Sequence, residues 1–429
     1  MNEIQYDQLK ETLYSEEFEN GLKVYVLPKK GFNKTYATFT TKYGSIDNHF
    51  VPLGENDQLQ VPDGIAHFLE HKLFEKEDGD VFQDFSKQGA SANAFTSFTR
   101  TAYLFSSTSN VKKNLRTLID FVQEPYFTET TVEKEKGIIG QEIEMYDDNP
   151  DWRVYFGVIQ NMFHHNPVKI DIAGTVPSIA KITKDLLYTC YETFYHPSNM
   201  LLFIVGNVGP HEIIKLVKEN QAQKEFAPPE EIKRFFENEP VEVAKKKSVI
   251  KMTVQTPKCM VGFKEAKPDR YGEERLIQEL SINLLLDYMF GQSSNYYEEL
   301  YSEGLIDQTF SFDYTEEGEF GFSLIGGDTS DPDLLTERLV NIIETVKSKG
   351  IDNDSIDRLK KKKMGGFLRS MNSPEFIANQ FTRYEFGEMN LFKVVEAYEK
   401  VTKDVLERTL NEHFDQKAFT SCQLRPKKG

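Results

Sequence analysis

Residues 62–76 read PDGIAHFLEHKLFEK and carry His67, Glu70 and His71 in the spacing H-x-x-E-H. Asp63-Gly64 marks a turn, and Ile65, Phe68, Leu69, Leu73 and Phe74 recur at helical intervals, which predicts a helix starting near Gly64. On that helix His67 and His71 are i and i+4 neighbours sharing a face. Two imidazoles one turn apart can both reach a single Zn²⁺ at about 2.0–2.1 Å. Glu70 points beside such a metal, where a carboxylate suits a general base acting on water. The order inverts that of the better-known H-E-x-x-H pair. Three fixed positions can also coincide by accident in 429 residues, and helical His and Glu often serve as caps or ion-pair partners on a solvated face. A third protein ligand is therefore the deciding observation.

The next long helical pattern supplies candidates. Thr130 with Glu133 forms a capping-box pattern, and the helix runs VEKEKGIIGQEIEMYDD until Asn149-Pro150 stops it. Glu135 and Glu142 stand seven residues apart, about two turns, on nearly one face. Glu142 is the candidate third ligand and Glu135 a supporting carboxylate. Glu144 is the rival, but it lies about 200° round the helix from Glu142. Most helical carboxylates are solvated. Glu142 is set apart by apolar Ile138, Ile139, Ile143 and Met145, which predicts a partly buried helix.

Composition bounds the rest. A chain of 429 residues, 39% hydrophobic and 13% aromatic, can bury a large core but is too long for one compact domain. A net charge of −17 argues against nucleic acid or an anionic membrane as partner. No basic and apolar leader is visible at the start, and no apolar run approaches the ~20 residues a spanning helix needs. Cys190, Cys259 and Cys422 are scattered and odd in number, which fits reduced core thiols in a cytoplasm.

Residues 22–27 and 35–43 read as strands ahead of the motif helix. After it come a short helix at 81–87 and two alternating runs, 91–96 and 101–107, that read as a hairpin able to accept an extended peptide along an exposed strand. Helices follow at 110–123, 130–147, 152–163 and 185–194, then a buried strand at 201–208. His164 and His165, being adjacent, read as helix C-terminal residues that complement the dipole. Residues 224–247 lose periodicity and gather Pro and charge, as a linker would. Beyond it a strand over 248–263, helices at 273–289 and 296–301, strands at 308–313 and 320–326, and paired helices at 332–347 and 354–368 repeat the earlier order. The expected fold class is α+β: two structurally similar α/β halves, each a mainly antiparallel sheet covered by helices. The expected domains are a metal-binding catalytic half at 1–223, a linker at 224–247, and a similar half without metal ligands at 248–429. No His lies between His211 and His413, so the second half cannot repeat the His pair.

Several of these stretches together resemble one family. NGLKVYVLP, GIAHFLEHKLF, ASANAFTSFTRTAYLF, EKEKGIIGQE, IAGT at 172–175 and YHPSNM at 195–200 are similar, in order, to the pitrilysin-type (inverzincin) zinc metallopeptidases, and most of all to small bacterial processing-peptidase-like members. The resemblance implies a zinc endopeptidase working on peptides or unfolded segments in a clamshell-like chamber. It implies one Zn²⁺ per chain held by His67, His71 and Glu142, with Glu70 as general base and Glu135 in support. Asn93, with Ala94 and Phe95, matches the strand that contacts bound peptide. One departure stands out. Active members need an Arg and a Tyr spaced R-x-x-x-x-x-x-Y to hold substrate and stabilise the developing oxyanion. The corresponding EELYSEGLIDQTF at 298–310 has Tyr301 in the Arg place and no Tyr at the second. The resemblance thus implies a heterodimer with a related subunit that lacks HxxEH and supplies the pair, a homodimer being the other arrangement. A non-catalytic zinc-binding scaffold subunit is the alternative function.

Overall fold

A computed structural model describes residues 1–77 and 79–427; Lys428 and Gly429, the end of the expected second half, lie outside the described residues. The chain forms two compact units, each built on one large sheet.

The first unit holds residues 1–143, 171–235 and 370–386. Its sheet has seven strands, in the spatial order Asn2–Tyr6, Glu11–Glu17, Lys23–Pro28, Met200–Gly206, Thr35–Thr41, Thr101–Ser107, Ala90–Thr96. All neighbours are antiparallel except Lys23–Pro28 with Met200–Gly206, which is parallel. The sequence MLLFIVG explains the central strand: it is apolar throughout, and every residue of it is buried. Ala90–Thr96 is the last strand of the sheet and alternates between half-buried and exposed residues at its start. The motif helix, Ile65–Leu73, and the short helix Phe82–Lys87 pack on this edge strand.

The second unit holds residues 144–170, 236–369 and 387–429. Its five strands run Lys247–Met252, Phe419–Pro426, Lys258–Lys264, Phe320–Asp328, Ser311–Glu317 in space, with only the first pair parallel. Two mainly antiparallel sheets with helical cover match the expected α+β class.

The units do not follow the continuous boundaries at 224–247. Each sheet is covered by a helix from the other half of the sequence. Helix Pro150–Met162 buries Val154, Phe156, Val158, Ile159 and Met162 and packs on strands Lys247–Met252, Lys258–Lys264 and Phe419–Pro426. Gly157 makes that approach possible: a Cβ there would lie 2.6 Å from Cys422 Sγ. Conversely, Pro374–Phe386 buries Ile377, Ala378 and Phe381 against Met200–Gly206 and Thr35–Thr41, and the Phe381 ring lies 4.5 Å from that of Phe203 and 4.9 Å from that of Tyr25. Helical periodicity identifies a buried stripe without naming the sheet that buries it.

The expected strand over 248–263 is two strands, Lys247–Met252 and Lys258–Lys264, separated by residues ending in Pro257. The middle of the linker is held by contacts within each unit. Arg234 Nε donates to Asp47 Oδ1 at 2.7 Å in the first unit. In the second, Glu239 accepts from the backbone N–H groups of His164, His165 and Asn166 at 2.8–2.9 Å. His164 and His165 follow directly on the end of helix Pro150–Met162, and the His165 side chain adds a contact of its own, Nδ1 lying 3.3 Å from Glu237 Oε2. Among the described residues no helix is long and apolar enough to cross a membrane. Cys190, Cys259 and Cys422 are free and buried.

Candidate metal centre

Helix Ile65–Leu73 begins at Gly64, whose φ of 88° lies in the left-handed region open to glycine. A Cβ at Gly64 would meet Ala173 O at 2.4 Å, and one at Gly174 (φ 74°) would meet Asp63 O at 2.5 Å. Ser178 Oγ donates to the same Asp63 carbonyl at 2.8 Å. The IAGT turn thus clasps the start of the motif helix. Ile65, Ala66, Phe68, Leu69 and Leu73 are buried, and the helix is packed tightly enough that His67 and Glu70 are buried with them.

The face carrying both histidines looks toward the helix Glu129–Asp147. His67 Nε2 lies 3.7 Å from Glu142 Oε1, and His71 Nε2 lies 3.6 Å from Glu142 Oε2. The ligand atoms of the three residues all fall within 4.8 Å of one another, the one such group among the described residues. Donors bound tetrahedrally at about 2.0–2.1 Å stand roughly 3.4 Å apart, so two imidazoles and this carboxylate fit a Zn²⁺-sized ion. His71 Nδ1 lies 3.1 Å from Glu135 Oε1, the outer contact that fixes a ligating ring and leaves its Nε2 turned inward. His67 Nδ1 is buried with no hydrogen-bond partner among the described residues.

The electrostatics suit a cation. Burial, helped by neighbouring His71, pushes the His67 pKa down to about 4, so the ring is neutral at pH 7 and can offer a lone pair. Burial also disfavours charge on His71, but the Glu135 hydrogen bond and the surrounding carboxylates outweigh it and raise its pKa. Glu135 is correspondingly lowered: burial opposes ionisation, and the His71 hydrogen bond overcomes it. Glu70 is raised by burial, against the pull of its hydrogen bond from Thr96 and of His71.

His67, Glu70, His71, Glu135 and Glu142 therefore meet in one place, as their spacing implied. Glu144 is exposed and is not among the residues whose ligand atoms converge. The apolar setting of Glu142 is corrected in part: Ile139 and Ile143 are buried, but Ile138 and Met145 face solvent. The helix starts at Glu129, and Thr128 Oγ1 accepts from the N–H of Thr131, so Thr128 rather than Thr130 stands at the capping place. Asn93, Ala94 and Phe95 lie in the edge strand. Asn93 is exposed, its Oδ1 accepting from Ala94 N at 2.9 Å, and the Arg100 guanidinium sits 5.9 Å from the Phe95 ring. Alternation along the strand places Asn93 and Phe95 on the face opposite Thr96. Thr96 is the residue that sequence reading passed over: its Oγ1 donates to Glu70 Oε2 at 2.6 Å. Tyr301 lies exposed on helix Asn295–Ser302, its ring stacked on Tyr297 at 6.0 Å.

Comparison with known proteins follows from this geometry. Residues 53–176 match a family profile described as insulinase (peptidase family M16), and residues 181–363 one described as the peptidase M16 inactive domain. The chain is 64% identical over 424 residues to the uncharacterized zinc protease YmfH of Bacillus subtilis, covering 99% of both chains. It is similar to the crystal structure of an M16-like peptidase from Alicyclobacillus acidocaldarius, with TM-score 0.94 and 40% identity over 97% of this chain and 99% of that one. A protease from Helicobacter pylori shares the fold at 20% identity, with TM-score 0.84 over 96% and 99% of the two chains.

Proposed function

The chain belongs to the M16 (insulinase) peptidase family, and from that premise we propose that it is the catalytic subunit of a zinc endopeptidase acting on peptides or unfolded segments. The observation that carries this reading is the convergence of His67 Nε2, His71 Nε2 and a Glu142 oxygen within 4.8 Å, beside Glu70. One zinc per chain would be held by those three residues. Zinc bound there supplies Lewis acidity, polarising a carbonyl and making a water acidic near neutral pH. Glu135 holds the His71 ring through Nδ1. Glu70, about one turn after His67 and next to His71, accepts the proton of the attacking water at its free carboxylate oxygen and delivers it to the leaving amine. The strand carrying Asn93, Ala94 and Phe95 has a neighbouring strand on one side only, and its outer edge would take an extended peptide in place of the contact from Ala94 N–H to Asn93 Oδ1. The Tyr301 stretch brings no Arg/Tyr pair for the oxyanion, so a related partner subunit supplying that pair is part of the proposal.

Replacing Glu70 by Gln tests the base. E70Q keeps one zinc per chain by elemental analysis and loses about 10²–10⁴ in peptide cleavage, assayed with whatever chain co-purifies from the native cell. Cleavage retained at the wild-type rate would remove Glu70 from the role. A second reading, a zinc-binding scaffold without catalysis, draws on the inactive-domain match over 181–363. It predicts metal binding with no cleavage by the wild type, alone or with its partner.

A further inference from the structure

The geometry points to Thr96 as the residue that positions the Glu70 carboxylate, an inference that rests on the reading of Glu70 as the base. Thr96 is the last residue of the edge strand, and its Oγ1 lies 2.6 Å from Glu70 Oε2. A threonine hydroxyl has one proton, and an ionised carboxylate can only accept, so that proton lies between Thr96 and Glu70. The neighbouring hydroxyl cannot replace it. Thr101, directly opposite Thr96 in the hairpin, lies 3.4 Å from it and donates at 2.9 Å to the carbonyl of Tyr43.

A glutamate carboxylate reaches its donor through three rotatable bonds, and its end torsion is broad. The Thr96 hydroxyl ties down one oxygen of Glu70 and leaves the other for water, with one orientation out of several. Thr96 itself is β-branched and stiff at χ1, and Thr101 opposite it is fully buried, so the donor is held by the hairpin rather than by solvent. The consequence is a coupling. The strand proposed to receive substrate backbone at 93–95 is the strand that aims the base, so a peptide that reseats the strand also reseats Glu70. Thr96 does not touch the reacting atoms and is a positioning residue.

The test compares T96V, which keeps the shape and loses the hydroxyl, with T96S, which restores it. T96V lowers kcat about 10–100-fold, a 1 Å misplacement being worth as much, with KM within about threefold. T96S returns to within about threefold of wild type, and both keep one zinc per chain. Unchanged kcat in T96V overturns the inference, as does loss in both variants alike. Crystal structures of the zinc-loaded proteins give a readout independent of turnover. Glu70 takes one orientation, toward residue 96, in wild type and T96S, and a rotated or divided one in T96V. An identical Glu70 in T96V overturns the inference even if no peptide is cleaved. Failure of the wild type to cleave anything, with Glu70 reoriented in T96V, instead overturns the catalytic reading and leaves the positioning contact standing.

Discussion

Glu135 shows how far single residues in the centre can be read. It reaches His71 Nδ1 at 3.1 Å, two helical turns before Glu142; periodicity puts both carboxylates on one face, while the division into a ligand and a supporting residue rests on the apolar neighbours of Glu142 and on the family resemblance. E135Q weakens the charge on this outer partner without removing its acceptor oxygen, and E135A removes both. E135A lowers zinc affinity about 10–100-fold, measured by chelator competition, and E135Q falls between it and wild type. E142A removes a donor itself and leaves zinc below stoichiometric. Spacing made His67, Glu70, His71, Glu135 and Glu142 legible because all five lie on two helices, where position follows from periodicity. Thr96 was not legible. It meets Glu70 across 26 residues of sequence, and which hydroxyl on a hairpin faces a helix is decided by tertiary packing.

At the scale of elements, most of the strands and helices read from pattern have ends displaced by a residue or two, but the strand expected at 308–313 is Ser311–Glu317, and Asn2–Tyr6, Glu11–Glu17 and Phe419–Pro426 have no counterpart in that reading. Helix Pro374–Phe386 shows what pattern leaves out. It lies beyond the last helix read from pattern, at 354–368, and its buried stripe of Ile377, Ala378 and Phe381 covers strands some 170 and 340 residues earlier. F381A deletes a ring packed between Phe203 and Tyr25 and lowers the stability of the first unit by about 3–5 kcal/mol, read as an earlier unfolding transition. The same change at exposed Leu368 moves stability by less than about 0.5 kcal/mol. The unbroken reading of 248–263 failed for a local reason. The apolar alternation continues through the residues before Pro257, while the chain there crosses from one side of a shared partner strand to the other: Lys247–Met252 pairs with Phe419–Pro426 in parallel, and Lys258–Lys264 pairs with its far side antiparallel.

For the molecule as a whole, acid is the condition that separates the two units' chemistry. In the second unit Glu265 is buried with His413 Nδ1 at 3.0 Å and Arg270 Nη1 at 3.2 Å. Burial alone would raise its pKa; the His413 hydrogen bond and the charges of His413 and Arg270 instead hold it down at about 2. A carboxylate whose folded pKa lies below its unfolded value stabilises the fold above the unfolded value, and that stability is lost as pH falls toward the folded one. E265Q therefore lowers the unfolding midpoint most at neutral pH, by the equivalent of about 3 kcal/mol, and the gap from wild type closes between about pH 4.5 and 2. A gap that stays constant with pH would mean that Glu265 acts by shape alone. The central claim concerns the first unit, where His67, His71 and Glu142 are proposed to hold a zinc ion. Anomalous diffraction at the zinc edge from crystals grown with zinc tests it most directly. The account predicts one peak per chain, about 2.0–2.2 Å from His67 Nε2, His71 Nε2 and an oxygen of Glu142. No peak there, or one ligated by other residues, would contradict it.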